Sequence, residues 1–183
     1  AESDYERMFN DGFDIIFDRA MKSNMQKLFS GGKAADFFSW YKTDLGKAPA
    51  PKTKLFFVTN HDDATEAAPA SQFGSEEGAL AAYVLMSALN GSAMIYGSQE
   101  TGYNKTINFF NTQTMDWNAS PDLTAKYKEA MQALAKVDRG GAMTASESGG
   151  VIFAAYPGAL IAVNASCPGV SRKVISFPPA VTL

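Results

Sequence analysis

The chain has 183 residues, of which 46% are hydrophobic and 12% aromatic, and its formal net charge is −3. This composition is typical of one or two small globular domains and excludes a disordered chain. The small negative charge gives no basic patch for nucleic acid, so we expect no nucleic-acid partner. The longest apolar stretch, 78–89, is far shorter than the roughly 20 residues that span a bilayer, so we expect no transmembrane segment.

The sequence leaves the cellular compartment open. A single cysteine, Cys167, excludes a disulfide within the chain, but cytoplasmic proteins and disulfide-free exported proteins share that property. The first four residues, Ala-Glu-Ser-Asp, contain neither the basic region nor the apolar core of a signal peptide. We therefore expect no targeting signal in these residues.

The first 138 residues alternate between strand and helix patterns. Helix starts are well marked, since Ser75 is followed by two acidic residues and Ser120 by proline. An alternating order of strands and helices favours a parallel sheet with right-handed crossovers. The patterns predict strands over 12–18, 54–59 and 93–97, a polar loop directly after the second strand, and helices over 19–29, 34–45, 75–89 and 121–138.

The pattern changes at Arg139, after which glycine and proline separate short apolar runs and no helix is predicted. Runs over 151–156, 159–163 and 172–177 are typical of strands. We therefore predict two domains, an α/β domain over 1–138 and a small, β-sandwich-like domain over 139–183. About 45 residues are close to the lower limit for independent stability, so we expect the second domain to pack against the first.

The second strand runs directly into a polar cluster, Asn60-His61-Asp62-Asp63, which contains the only histidine of the chain. Parallel α/β proteins hold their functional residues at the carboxyl ends of strands, so this cluster is a candidate active site, although an ordinary loop could have the same composition. One histidine and one distant cysteine do not make a typical zinc site, and adjacent aspartates lack the spacing of a calcium loop. We expect no metal site in this chain.

Several motifs in a fixed order resemble the C-terminal half of α-amylase-family glycoside hydrolases. These are Phe-Val-Thr-Asn-His-Asp over 57–62, Met-Ile-Tyr-Gly-Ser-Gln-Glu-Thr-Gly over 94–102, Asn-Phe-Phe over 108–110 and Met-Asp-Trp over 115–117. The residues of these motifs are most similar to those of bacterial amylases and of cyclodextrin- or pullulan-degrading relatives. The resemblance covers essentially the whole chain and implies an α/β fold, the C-terminal half of a (β/α)8 TIM barrel followed by a small all-β C-terminal domain.

The resemblance also implies roles for individual residues. Glu2 matches the general acid/base, although in this chain it could also be a frayed terminal residue. Asp62, rather than Asp63, matches the catalytic aspartate that stabilises the transition state, and His61 and Asn60 match the substrate-binding part of the motif. A protonated and an ionised carboxyl group are what a sugar-cation-like transition state requires.

One catalytic residue of the family has no counterpart here. The nucleophilic aspartate of a Gly-Phe-Arg-x-Asp motif on an earlier strand is missing from the sequence, and a full barrel needs about 250 residues. We interpret the chain as an inactive fragment of a retaining hydrolase that acts on α-1,4 bonds of starch-like glucans. The other half would supply most of the cleft and the calcium site of the family, so we expect no cofactor in this chain. The resemblance implies a secreted or periplasmic parent.

Alternatives remain at each step. The chain could instead be a non-catalytic carbohydrate-binding or assembly module on an amylase-like scaffold, and exposed sheet edges would favour a homodimer. Trp117 and Tyr103 could stack on sugars or pack between the two domains, and Asp116 could cap a helix or face the cleft. Gln99 and Glu100 are interpreted as part of a structural loop. An alanine-rich segment over 64–73 leaves the choice of glucan open, and the choice between hydrolysis and transglycosylation also stays open.

Overall fold

A computed structural model describes residues 4–44, 48–140 and 142–165, together with the backbone of 174–177. The described residues form two sheets with helices around the first. The first part contains β1 (Ile15–Phe17), β2 (Thr53–Phe57) and β3 (Ser92–Met94), with helices α1 (Tyr5–Asn10), α2 (Arg19–Phe29), α3 (Ala34–Asp44), α4 (His61–Glu66), α5 (Pro69–Gln72), α6 (Glu76–Ala88) and α7 (Pro121–Leu134).

The first sheet is parallel, with strand order β1-β2-β3. Lys54 of β2 pairs with Ile16 of β1, and Phe56 pairs with Ala93 of β3. Helices connect the strands, as a parallel sheet requires. The mixed α/β fold predicted from the alternating pattern is confirmed, while closure into half of an eight-stranded barrel stays a prediction.

Side-chain caps fix where three of the helices begin. The carboxylate of Asp18 accepts a hydrogen bond from the Met21 backbone N–H at 3.0 Å, which starts α2 directly after β1. The hydroxyl of Ser75 accepts from the Gly78 N–H at 2.9 Å and starts α6. Asn60 caps α4 in the same way. These residues satisfy backbone donors that the first helical turn leaves unpaired.

The two faces of the parallel sheet differ in their environment. Ile16, Lys54 and Phe56 share the face that the helices cover, and all three side chains are buried. On the opposite face, Ile15 and Phe17 are more than half exposed. The hydrophobic core therefore lies on the helical side, and the other face of β1 is open.

The second sheet is antiparallel, in the order β4 (Thr144–Ser148), β5 (Val151–Tyr156), β6 (Ala159–Asn164) and β7 (Val174–Phe177). Its residues Ile152 and Ile161 join the same apolar cluster as Met25 of α2. The hydroxyl of Tyr156 donates to the Ala88 carbonyl at 2.7 Å. The predicted packing of the β segment on the α/β part is confirmed, and the domain limits stay a prediction.

Several element limits differ from those predicted. The third strand ends at Met94, because Gly97 and Ser98 turn the chain through positive φ angles of 41° and 58°. The polar loop expected after β2 contains α4 and α5, and the helix expected over 121–138 ends at Leu134. The polar strand β4 and the short helix α1 were not predicted. None of the helices within the described ranges is long and apolar enough to cross a membrane.

Candidate active site

The Asn-His-Asp cluster lies at the carboxyl edge of the parallel sheet, directly after β2. Asn60 is buried, and its side-chain oxygen accepts a hydrogen bond from the Asp63 N–H at 2.9 Å. This cap begins α4 and places the next two residues on its first turn. The side chains of His61 and Asp62 are 57% and 60% exposed. Both are therefore accessible to a ligand that approaches this edge.

His61 lies between an acidic and an aromatic side chain. Its Nε2 atom is 3.4 Å from Oδ1 of Asp62. Its ring meets the ring of Phe109 edge to face, with centroids 5.5 Å apart. Phe109 belongs to the long segment between β3 and α7, so the site is built from segments that follow two neighbouring strands.

Arg19, the first residue of α2, links both aspartates of the cluster. Its Nη2 atom is 3.4 Å from Oδ2 of Asp62, and its Nη1 atom is 3.2 Å from Oδ1 of Asp63. The sequence prediction missed this residue. A usable signal was present, because Arg19 follows the first predicted strand and the carboxyl ends of neighbouring parallel strands meet at one edge.

The two adjacent aspartates have different environments. Asp63 is buried, and Oδ1 lies 2.8 Å from Nζ of Lys22, which is also buried. This ion pair joins α4 to α2, and both of its side chains are shielded from water. The carboxylate of Asp62 is exposed, and Arg19 and His61 contact its two oxygens at 3.4 Å. Asp63 therefore holds two helices together, whereas the side chain of Asp62 is accessible from solvent; the catalytic role of Asp62 stays a prediction.

A second ionic cluster lies beneath this edge, on the helix-covered face of the sheet. Nζ of Lys54 is 2.9 Å from Asp18 and 2.6 Å from Asp44, and all three side chains are buried. The hydroxyl of Tyr5 donates to Asp18 at 3.2 Å. The cluster joins the start of β2, the cap of α2 directly after β1 and the end of α3, and thus holds these three elements together.

The aromatic and polar residues after β3 divide into buried and exposed groups. Tyr103 is buried beside Ala64 and Ile107, so it packs and does not offer a face to a sugar. Trp117 is exposed. Asp116 accepts a hydrogen bond from the Asn118 N–H at 2.9 Å, which places it in a local turn.

Gln99 has a structural environment, as the sequence interpretation expected. It is buried, and its side-chain amide donates to the Tyr127 hydroxyl at 3.0 Å. Burial raises the pKa of Tyr127, so the hydroxyl stays protonated and able to donate in turn. Glu2, the residue matched to the general acid, lies outside the described residues. Within the described ranges, no group of three or more histidine, cysteine, aspartate or glutamate side chains is placed to hold a metal ion.

Several solved structures match the fold of this chain. A cyclic α-maltosyl-(1→6)-maltose hydrolase from Arthrobacter globiformis matches 96% of this chain with 16% identity and a TM-score of 0.69. A maltogenic α-amylase from Thermotoga neapolitana matches 87% with 16% identity and a TM-score of 0.70. An α-amylase from Lactobacillus plantarum matches 85% with 16% identity and a TM-score of 0.66.

The chain spans less than half of each of these structures, 44%, 39% and 38% respectively. No family model matches the chain, and no curated protein matches it in sequence. The chain therefore shares its fold with part of each of these structures. More particularly, 85–96% of the chain matches the fold of these α-amylase and maltose-hydrolase structures, and the predicted resemblance to α-amylase-family enzymes is confirmed as a likeness of fold.

Proposed function

We propose that this chain is one part of a retaining glycoside hydrolase that cleaves α-1,4 bonds of starch-like glucans. The observation that supports this proposal is the pairing of exposed His61 and Asp62 at the carboxyl edge of a parallel sheet. That edge is where barrel enzymes hold their catalytic residues. The fold shared with a cyclic α-maltosyl-(1→6)-maltose hydrolase and two α-amylases gives independent support.

In this proposal the described residues bind and stabilise, and a partner segment supplies the nucleophile. The carboxylate of Asp62 accepts hydrogen bonds from the ring hydroxyls of the sugar in the transition state, and Arg19 holds this carboxylate in place. His61 donates a hydrogen bond to the same ring, and Asn60 acts through its cap on α4, which sets the orientation of both. Hydrogen bonds that strengthen in the transition state lower the barrier.

The covalent steps follow the retaining scheme. Glu2 donates a proton to the leaving glycosidic oxygen while a carboxylate from the missing half attacks the anomeric carbon. Glu2 then takes a proton from water, whose oxygen displaces the carboxylate and releases the sugar with retained configuration. Because no residue of this chain is proposed as the nucleophile, the chain by itself is expected to be inactive.

The proposed architecture requires a second protein segment that completes the barrel. Residues 1–138 would form the last part of a barrel and residues 139–183 a small β domain. The remaining strands and the nucleophile would come from a companion half that pairs with β1 or β3, the edges of the described sheet. A calcium site, if the enzyme has one, is proposed to lie in the companion half.

The experiment compares hydrolysis of a chromogenic maltooligosaccharide by three proteins. These are the 183-residue chain, a longer chain with the upstream half of the barrel restored, and the longer chain with Asp62→Asn. Asp116→Asn is the matched control, because this aspartate is exposed but bonded within a local turn. We expect activity only in the longer chain, a loss of at least about a thousandfold in Asp62→Asn, and little change in the control.

Two results would contradict the proposal. Activity of the 183-residue chain alone would require another nucleophile. Full activity of Asp62→Asn in the longer chain would show that Asp62 is not needed for catalysis. Glucan binding without hydrolysis in every form would favour the non-catalytic module.

A further inference from the structure

Two adjacent aromatic side chains are exposed in the segment after β3. Phe110 is 82% exposed and Phe109 is 44% exposed. Their ring centroids are 4.3 Å apart and their planes are inclined by 36°. Single exposed apolar residues are common on protein surfaces, but two large rings side by side within a polar stretch point to a contact surface.

This aromatic pair continues directly into the candidate active site. Phe109 meets the ring of His61 edge to face at 5.5 Å, and His61 in turn lies 3.4 Å from Asp62. An apolar surface and a set of hydrogen-bonding groups are therefore adjacent along one edge. Ligand sites in proteins have this composition, with aromatic walls and a few placed polar groups.

The segment that carries the pair is held in place by its own hydrogen bonds. The Ile107 N–H donates to the Ala64 carbonyl of α4 at 2.7 Å. Gln113 donates to the Thr106 carbonyl at 2.7 Å and accepts from the Asn108 N–H at 2.9 Å. The Asn108 side chain accepts from the Phe110 N–H at 3.0 Å. The rings are thus positioned before any ligand binds, which lowers the entropic cost of binding.

We propose that Phe109 and Phe110 form a platform on which one glucose ring of the α-glucan stacks, next to the ring that His61 and Asp62 contact. This inference rests on the proposed function, since it names a further contact for the same substrate. The C–H face of a pyranose packs on the electron-rich face of an aromatic ring, while the hydroxyls at its rim stay hydrogen-bonded.

The size of the surface favours a sugar over a protein partner. Stable protein interfaces bury about 800 Å² on each side, whereas this pair is two rings flanked by the exposed polar residues Asn108, Asn111 and Thr112. A single pyranose covers a surface of this size. The adjoining imidazole and carboxylate supply the hydrogen bonds that a hydroxylated ligand needs.

The test is a titration of the 183-residue chain with maltohexaose, followed by NMR. The only histidine of the sequence gives one unambiguous imidazole signal next to the platform. Phe110→Ala is the main variant, because Phe110 is the more exposed ring and does not meet His61. Phe13→Ala is the matched control, an exposed phenylalanine that precedes β1 at the opposite end of the strands. Amide spectra check that both variants are folded.

We expect maltohexaose to shift the His61 signal, Phe110→Ala to weaken binding by about five- to tenfold, and Phe13→Ala to leave affinity unchanged. Binding with equal affinity in Phe110→Ala would overturn the platform and leave the proposed function intact. No binding by the unaltered chain would also overturn the platform, while the hydrolysis assay on the restored enzyme would decide the proposed function separately.

Discussion

The ionic cluster beneath the sheet and the polar cluster at its edge contain the same kinds of group in opposite environments. Beneath the sheet, Lys54 lies 2.9 and 2.6 Å from two buried carboxylates. At the edge, Arg19 and His61 each lie 3.4 Å from an aspartate whose side chain is 60% exposed. Short buried pairs hold elements together, whereas long exposed contacts leave carboxylate oxygens available for a ligand. Burial and distance, more than residue type, separate structure from function here.

The largest expected effect concerns the buried cluster. Lys54→Met leaves Asp18 and Asp44 without their shared cation, so we expect the free energy of unfolding to fall by about 3–5 kcal/mol. Urea denaturation followed by circular dichroism measures the change. Lys136→Met, an exposed lysine, is the control and is expected to change stability by less than about 0.5 kcal/mol.

If Lys54→Met proves too unstable to purify, the triple variant with Asp18→Asn and Asp44→Asn removes the uncompensated charges and should recover folded protein. A Lys54→Met variant within about 1 kcal/mol of the unaltered chain would show that the buried cluster does not hold the three elements together.

The next effect separates the two adjacent aspartates. Asp63→Asn removes the charge that faces buried Lys22 at 2.8 Å, and we expect a loss of about 2–4 kcal/mol. Asp62→Asn is expected to stay within about 0.5 kcal/mol, because its side chain is exposed. The two variants are matched controls for each other in the same urea titration. Equal losses of stability in Asp62→Asn and Asp63→Asn would show that the two aspartates do not differ in their contribution to the fold.

A smaller effect concerns the cap that orients the site. Asn60→Ala removes the acceptor for the Asp63 N–H and should cost about 1 kcal/mol. Ser75→Ala removes the corresponding cap of α6 and should cost a similar amount. Only Asn60→Ala is expected to shift the His61 NMR signal, since Asn60 directly precedes His61 and caps its helix, whereas Ser75 caps a different helix. A His61 shift of equal size in Ser75→Ala would show that the signal reports a loss of stability of the whole fold and not the cap of α4.

The smallest effect is a pH dependence at the surface. A hydrogen bond from the Lys126 side chain holds the pKa of Glu77 below its ordinary value of 4.5. A carboxyl group that is more acidic in the folded state stabilises the fold above its ordinary pKa, and this contribution is lost as the pH falls through the lower, folded value. Since the pair is about half exposed, the contribution is less than about 1 kcal/mol.

Glu77→Gln tests this contribution. It should therefore lower stability slightly at pH 6, and the difference from the unaltered chain should shrink as the pH falls below the ordinary pKa of 4.5. A difference that stays constant as the pH is lowered would mean that the variant acts through packing. Asp122→Asn, which changes a neighbouring acidic residue of α7, is the control for general charge effects.

Much of the fold could be predicted because its signals are local. Helix α2 has the predicted limits, 19–29, and α6 begins at its predicted serine cap. Apolar spacing and capping residues are properties of neighbouring positions, so pattern reasoning detects them. Helix α4 was missed, because six residues of mostly polar sequence contain no such spacing.

The candidate site could be predicted only in part. The motif resemblance singled out His61 and Asp62, and both lie exposed at the expected edge. Arg19 and Lys22 were missed, because they reach Asp63 across more than forty positions and only the folded chain brings them together. The exposed rings of Phe109 and Phe110 were part of a motif, but their exposure depends on the packing of the whole segment after β3.

The edge strands of the described parallel sheet, β1 and β3, restrict the symmetry with which identical chains can pair through them. Two copies related by a two-fold axis perpendicular to the sheet would join β1 to β1 in antiparallel orientation, unlike the described sheet, which is wholly parallel. To keep all strands parallel on one continuous surface, β3 of one copy must meet β1 of the next. Such a head-to-tail contact either closes into a ring or grows into a filament. The angle at which β3 of one copy meets β1 of the next would therefore decide between a closed ring and an open filament.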